Sequence, residues 1–334
     1  MKKATKIAVL GAGSWGTALA LALSRNQHQV TLWGHQVSHC NDMIKDGSNN
    51  KYLTNFGFPN NLCVDSNLSN VVNNHNTFLI VTPSHAFRST VKKLKDLGVS
   101  KDALIIWASK GFDKEGPVLL SDVIQQVFGN EINKAIISGP SFSKEVAENL
   151  PTAITVASNN AITANLVAGL FHGQNMRVYT NSDLIGVQVG GAIKNVIAIA
   201  AGISDGLGYG ANSRAAIITR GLAEIARLGV ALGAQLESFQ GLAGMGDLIL
   251  TCTDDQSRNR RLGLGLGAGQ SINQTIEEIG QEVEGYTTTP EVIRWAKQHN
   301  IEMPICEQVN EVLYNNVAAK SAVSVLLSRQ LVNE

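Results

Sequence analysis

Up to about residue 180, short apolar runs rich in β-branched residues alternate with longer stretches in which apolar residues recur at helical spacing. The short runs are KIAVLG, QVTLWG, LCVDS, TFLIVT, ALIIWAS, AIISG, TAITVAS and MRVYT. They are nearly continuously apolar instead of alternating, which is the pattern of strands covered on both faces. With helices between them and right-handed crossovers, they predict an α/β architecture: a doubly wound, mostly parallel sheet. Beyond Asn181 strand signals almost vanish, and long helical patterns such as SRAAIITRGLAEIARLGVALG and TPEVIRWAKQHN take over, jointed by glycine. The second part is predicted to be all-helical. The composition shift divides the chain into residues 1–185 and 186–334, with no repeat or low-complexity linker between them.

One apolar run stands apart. Between Asp183 and Asp205 the only charge is Lys194, followed by Asn195. The run has the length of a bilayer span, but a lysine at its centre costs about 2.5–3.5 kcal/mol on insertion scales, and no other segment offers a companion. A soluble protein without stable membrane insertion is expected. Near the N-terminus, Lys2 and Lys3 precede an apolar stretch ending ALALALS, which imitates a secretory leader. Lys6 and the three glycines of GAGSWG interrupt that stretch, so the leader reading is rejected.

At 334 residues the chain exceeds what one hydrophobic core usually serves, in keeping with two domains. Lys plus Arg (27) balances Asp plus Glu (27), which removes the charge signature of a nucleic-acid or anionic-membrane binder and favours a small-molecule partner. Cys40, Cys63, Cys252 and Cys306 are scattered, with no metal-type cluster; reduced thiols and a cytoplasmic location follow, with no metal site.

The strand KIAVL runs straight into Gly11-Ala12-Gly13-Ser14-Trp15-Gly16 and then an alanine- and leucine-rich helix. In that setting Gly11 allows the tight turn, Gly13 lets a pyrophosphate approach the backbone, and Gly16 lets helix pack on strand. The phosphate then sits on a helix N-terminus, as in Rossmann-type domains. A second glycine run, GLGLGAGQ, follows a basic helical segment instead of a strand and reads as a helix-ending loop. After the second strand come Gly34, His35 and Gln36, with no acid to repel a 2′-phosphate. His35 is either a cation that accepts NADP or a bystander at a strand end.

Other polar groups mark element ends. Lys110 follows a strand in WASKGF, Gly139 and Ser141 form a tight turn in SGPSFSKE, and Asp247 follows a glycine-rich bend. The first two lie where doubly wound domains bind ligands, beyond the carboxyl ends of strands. In TCTDDQSRNRR, Ser257 suits a helix cap, while Arg258 and Asn259 suit a phosphate or carboxylate; a solvated basic face is the alternative. For Lys194 two readings stand: an amine whose pKa burial lowers toward that of a general base, or a lysine that snorkels or is held by a structural carboxylate.

In family order, GAGSWGTALA, VTPSH, WASKG, ISGPSFSKE, GGAIKNVIAIAAGISDGLG, TRGLAE, GMGDLILTCTDDQSRNRR and QEVEGY closely resemble the bacterial type of NAD(P)-dependent glycerol-3-phosphate dehydrogenase. The resemblance covers essentially the whole chain. It implies interconversion of dihydroxyacetone phosphate and sn-glycerol 3-phosphate with NADP(H) or NAD(H), in support of glycerophospholipid synthesis, by a cytoplasmic homodimer. It makes Lys194 the proton-transfer group, with Asp247 and Asn195 orienting it. Ser257, Arg258 and Asn259 would grip the substrate, and Lys110, Gly139 and Ser141 would complete its pocket. Ser14, Trp15, His35, Lys110, Ser143 and Arg258 would touch the cofactor, with Glu282 and Glu284 closing over it. The chain departs from the family at EGYTTTP, where Thr289-Pro290 replaces a usual Thr-Lys pair and is expected to stiffen that loop. Two rivals are a β-hydroxyacid-type dehydrogenase acting on a carboxylate and a nucleotide-binding redox sensor without turnover.

Overall fold

A computed structural model of the chain describes residues 4–328; Lys2 and Lys3 of the leader-like stretch lie outside the described residues. The chain separates into two compact units. Unit 1 runs to Ser109 and resumes at Val118–Leu184; unit 2 comprises Lys110–Pro117 and the chain from Ile185 onward. The division at 185/186 read from composition does not include the Lys110–Pro117 excursion.

Among the described residues unit 1 holds all eight strands, each on one of the runs: β1 (Lys6–Leu10), β2 (Gln29–Trp33), β3 (Leu62–Asp65), β4 (Thr77–Ile80), β5 (Leu104–Trp107), β6 (Asn133–Ser138), β7 (Thr152–Ala157) and β8 (Met176–Asn181). They form one sheet in the order β3-β2-β1-β4-β5-β6-β7-β8. The order steps outward on both sides of β1, as a doubly wound sheet requires. Every pairing is parallel except β6 with β7, where Ile136 faces Ala157. The exception has a simple cause. The only helix linking β6 to β7 is Ser143–Ala147, five residues long. At 1.5 Å per residue it spans about 7.5 Å, too little to carry the chain back along a six-residue strand of about 20 Å. The chain therefore turns round at the carboxyl end of β6, which places Gly139 and Ser141 there. Ile7, Val9, Leu32, Leu79, Ile106, Ile137 and Ile154 from the strands bury against Leu19 and Leu23 of the helix Ser14–Arg25 and against Phe171.

Among the described residues, the regular structure of unit 2 is all helical, while its Lys110–Pro117 segment is a loop. The unit is centred on Leu184–Gly206, with Ala211–Ala231, Asp247–Thr253, Arg258–Gly267, Ile272–Ile279, Glu284–His299, Pro304–Tyr314 and Ala319–Leu327 around it. The helix Leu184–Gly206 is long and apolar enough to cross a membrane, but 94% of its apolar window is buried inside the protein. It is a core helix, consistent with its being apolar all round.

Two sequence readings are corrected. The run GLGLGAGQ does not end a helix at its first glycine: Gly263, Gly265 and Gly267 lie within the helix Arg258–Gly267. They let it approach the central helix so closely that a Cβ on Gly263 would lie 2.1 Å from the carbonyl oxygen of Ile199. Pro290 does not stiffen a loop, because it lies inside the helix Glu284–His299. A proline there removes the N–H that would bond the carbonyl four residues earlier, at Tyr286. The Tyr314 hydroxyl donates to that carbonyl instead, and the two tyrosine rings stack with centroids 5.1 Å apart.

Candidate active site

In unit 1 the loop after β1 is shaped by contacts that exclude side chains. Gly11 has φ +125 and donates its N–H to Trp33 O at 3.0 Å. A Cβ on Gly11 would lie 2.7 Å from Val81 O, and one on Gly16 would lie 1.9 Å from Gly11 O. Around Gly13 the space is open, with nothing within 4 Å of a Cβ built there. Gly13 is the N-cap of the helix Ser14–Arg25, which has no side-chain cap and no acid in its first turn. A helix start of this kind offers backbone donors and the positive end of its dipole to an anion. The indole nitrogen of Trp15 is buried there without a hydrogen-bond partner. The loop fits the pyrophosphate of a dinucleotide.

His35 is exposed just past β2. Asp65, in register with Trp33 on the neighbouring strand, was missed in reading the strand ends; its carboxylate is engaged by Asn67 N at 2.7 Å and Asn70 Nδ2 at 2.5 Å. At the carboxyl end of β6, Ser141 Oγ donates to Gly139 O at 3.0 Å, and Ser143 opens the next helix.

In unit 2 the central helix delivers Lys194 into a buried polar cluster. Its Nζ donates to Asp247 Oδ1 at 2.5 Å and to Thr251 Oγ1 at 2.8 Å. Lys110 Nζ donates to the other carboxylate oxygen, Asp247 Oδ2, at 2.6 Å. The carboxylate thus spans two ammonium groups, and the three charges leave the cluster net positive. Lys194 is 6% exposed, so it does not snorkel. Its burial favours the neutral amine; Asp247 opposes that and Lys110 reinforces it, and the outcome is a pKa of about 8. Burial alone would raise Asp247, but the two lysines outweigh it and hold the carboxyl below its ordinary range.

Thr251 went unrecognised in the sequence. It stands four residues after Asp247 on one helix, so both face the same way. Its hydroxyl donates to the Asp247 carbonyl at 2.5 Å, which leaves its lone pairs to accept from Lys194.

A chain of amides frames the cluster. Asn195 Nδ2 donates to Lys110 O at 3.3 Å, Asn259 Nδ2 donates to Asn195 Oδ1 at 2.9 Å, and Gly285 N donates to Asn259 Oδ1 at 2.8 Å. Asn259 is therefore tied at both ends of its amide to the protein. Ser257 caps the helix Arg258–Gly267 by accepting from Arg260 N at 3.2 Å, as its position in the sequence suggests. The basic run then divides. Arg260 is a strut: it donates to Cys252 O at 3.1 Å and to Asp205 Oδ2 at 2.6 Å, and it pairs with Asp255. Arg258 is half-buried, lowered in pKa by that burial, and faces the charges of Glu284, Arg261 and Glu282.

Among the described residues no group of three or more His, Cys, Asp or Glu side chains could hold a metal ion. The four cysteines are free thiols, and only Cys63 is exposed.

Comparison with known proteins agrees with this geometry. The family model "NAD-dependent glycerol-3-phosphate dehydrogenase N-terminus" matches residues 6–164, and its "C-terminus" counterpart matches residues 183–324. Glycerol-3-phosphate dehydrogenase [NAD(P)+] of Colwellia psychrerythraea is 52% identical over 98% of each chain, and that of Yersinia pestis is 50% identical over 97% of this chain and 95% of its own. The crystal structure of glycerol-3-phosphate dehydrogenase from Coxiella burnetii, 46% identical, superposes with a TM-score of 0.95 over 98% of this chain and 99% of that one. A glycine-rich helix start in one unit, a buried lysine cluster in the other and matches along nearly the whole length lead to one conclusion: the chain belongs to the NAD-dependent glycerol-3-phosphate dehydrogenase family.

Proposed function

We propose that this protein interconverts dihydroxyacetone phosphate and sn-glycerol 3-phosphate, with NADP(H) or NAD(H) as the hydride carrier. The observation that carries this reading is the buried Lys194–Asp247–Lys110 cluster. An ammonium has three N–H donors, and Lys194 gives two of them to Asp247 and Thr251. The third is left for the oxygen on C2 of the substrate. In reduction Lys194 gives that oxygen its proton as C2 accepts hydride; in oxidation the neutral amine takes the hydroxyl proton as hydride leaves. A pKa of about 8 keeps both forms accessible near neutral pH. Asp247 and Thr251 hold Nζ in place, and the net positive charge of the cluster stabilises negative charge that develops on the oxygen.

Bound at the Gly11–Gly16 loop, the dinucleotide would supply the hydride. Ser14, Trp15, His35, Lys110, Ser143 and Arg258, with Glu282 and Glu284, are the side chains assigned to hold it. Arg258 presents the planar fork suited to the substrate phosphate. Asn259, tethered between Asn195 and Gly285, contributes chiefly by keeping that helix start in place, alongside Ser257. Lys110, Gly139 and Ser141 complete the substrate's surroundings. A homodimer in the cytoplasm that feeds glycerophospholipid synthesis is the setting proposed for the reaction.

The test is a substrate comparison. Purified protein should oxidise NADPH or NADH on addition of dihydroxyacetone phosphate and not on addition of small 2-keto acids. Turnover with keto acids alone would favour the carboxylate-specific rival, and tight dinucleotide binding with no turnover would favour a sensor.

A further inference from the structure

The dinucleotide loop is held from behind by a residue distant in sequence. The helix Val37–Asp46 ends at the left-handed Gly47, and the following turn carries Asn49 into the interior, where it is fully buried. Its Nδ2 donates to the carbonyl of Ala12 at 3.0 Å and to Thr17 Oγ1 at 2.8 Å. Its Oδ1 accepts from Tyr52 N at 3.3 Å and lies 3.0 Å from His39 Nε2. A carbonyl only accepts, so Ala12 determines which end of the amide faces the loop, and His39 must be the donor to the other end. Thr17 passes the restraint on: its hydroxyl donates to Gly13 O at 2.8 Å. One buried amide thus grips the loop at two points and is fully bonded itself.

The consequence lies at the Ala12–Gly13 peptide. In a planar trans peptide the C=O and the following N–H point in opposite directions. With the Ala12 oxygen drawn onto Asn49, the Gly13 N–H is turned away from the protein interior, on a residue around which space is open. We propose that Asn49 is a positioning residue for dinucleotide binding, which holds the Ala12–Gly13 peptide so that the Gly13 N–H donates to the cofactor's pyrophosphate. The proposal rests on the reading that this loop takes the cofactor. Asn49 touches no reacting atom and acts only through the loop.

Asn49→Asp is the sharpest test, since it keeps the shape, removes both donors and sets a negative charge behind a phosphate site. Binding of NADPH to the full-length protein, followed by its fluorescence, should weaken about tenfold or more, the loss of a charge-assisted hydrogen bond together with new repulsion. The KM for the dinucleotide should rise in parallel, while kcat at saturating dinucleotide and the KM for dihydroxyacetone phosphate stay within about twofold. Thr17→Val removes one of the two acceptors and should weaken NADPH binding less. Combined with Asn49→Ala it should add little beyond the effect of Asn49→Ala alone. Unchanged NADPH affinity would overturn the proposal, as would a fall in Tm and kcat with affinity intact, because Asn49 would then serve folding alone. If Asn49→Asp does not fold, Thr17→Val decides, with unchanged affinity counting against the proposal. A wild-type protein that binds NADPH but does not reduce dihydroxyacetone phosphate would fail the functional reading and leave this one to the binding titration.

Discussion

Lys194 illustrates how far a single residue could be read without its surroundings. Its isolation in an apolar run marked it, but the run leaves a reactive amine and a snorkelling one equally possible. The partner acid stands 53 residues away, and only the fold brings Asp247 to 2.5 Å from Nζ. Thr251 carried a weaker signal, its four-residue spacing from Asp247, which gains meaning only once Asp247 is known to face the lysine. Asn49 had none, since an asparagine after a helix reads as an ordinary turn. Two predictions belong at this scale. Lys194→Ala should lower kcat by about 10²–10⁴, the usual worth of general acid–base catalysis, and leave NADPH binding by fluorescence titration nearly unchanged. Turnover close to wild type would exclude Lys194 as the proton-transfer group. Lys110→Met should raise the pKa of Lys194, because it removes a like charge and leaves Asp247 to Lys194 alone. The inflection in kcat/KM against pH should then move above about 8, and a downward shift would contradict the electrostatics.

At the scale of elements, helix and strand identity followed from periodicity, while breaks and glycine runs were misjudged. The family resemblance places Pro290 in a loop, although the helical pattern TPEVIRWAKQHN already contains it. Its helix survives because Tyr314, 28 residues from Tyr286, takes over the orphaned carbonyl, a compensation invisible to local sequence. Tyr314→Phe should therefore cost about 1 kcal/mol in urea unfolding, the net worth of one hydrogen bond. In a Pro290→Ala background, where the backbone supplies its own donor, the cost should shrink; an equal cost in both would disprove the compensation. The GLGLGAGQ run, expected as a helix-ending loop because it follows a basic helical segment, continues that helix, since glycine lowers helix propensity yet permits close helix packing. Gly263→Ala should destabilise unit 2 by roughly 3 kcal/mol, because its new Cβ meets the Ile199 carbonyl of a packed backbone and not a movable side chain. A change of only a few tenths in the unfolding free energy would show that the two helices can separate.

Across the whole molecule, the sheet was the most readable feature. Among the described residues each of the eight strands falls on one of the runs; the inner strands do so because a strand covered on both faces leaves no room for polar alternation, whereas the edge strands β3 and β8 are partly exposed. The assignment of Lys110–Pro117 to unit 2 was not readable, since nothing in WASKGF says that the chain leaves the strand domain for eight residues. That excursion puts Lys110 on Asp247 within unit 2. Dinucleotide bound to the folded state alone should also raise the stability of the protein, by about 2.7 kcal/mol at a hundredfold excess over Kd, and a Tm indifferent to NADPH would argue against the loop as its site. The central claim is that one buried lysine with a pKa of about 8 transfers the proton in both directions, and the pH dependence of kcat/KM tests it most directly. Reduction of dihydroxyacetone phosphate needs the ammonium, so its kcat/KM should fall as pH rises through about 8; oxidation of glycerol 3-phosphate needs the amine, so its kcat/KM should fall as pH drops through the same value. Opposite limbs that share one inflection, both lost in Lys194→Ala, are the expected result. Profiles that run in the same direction, or inflections that persist without the lysine, would contradict it.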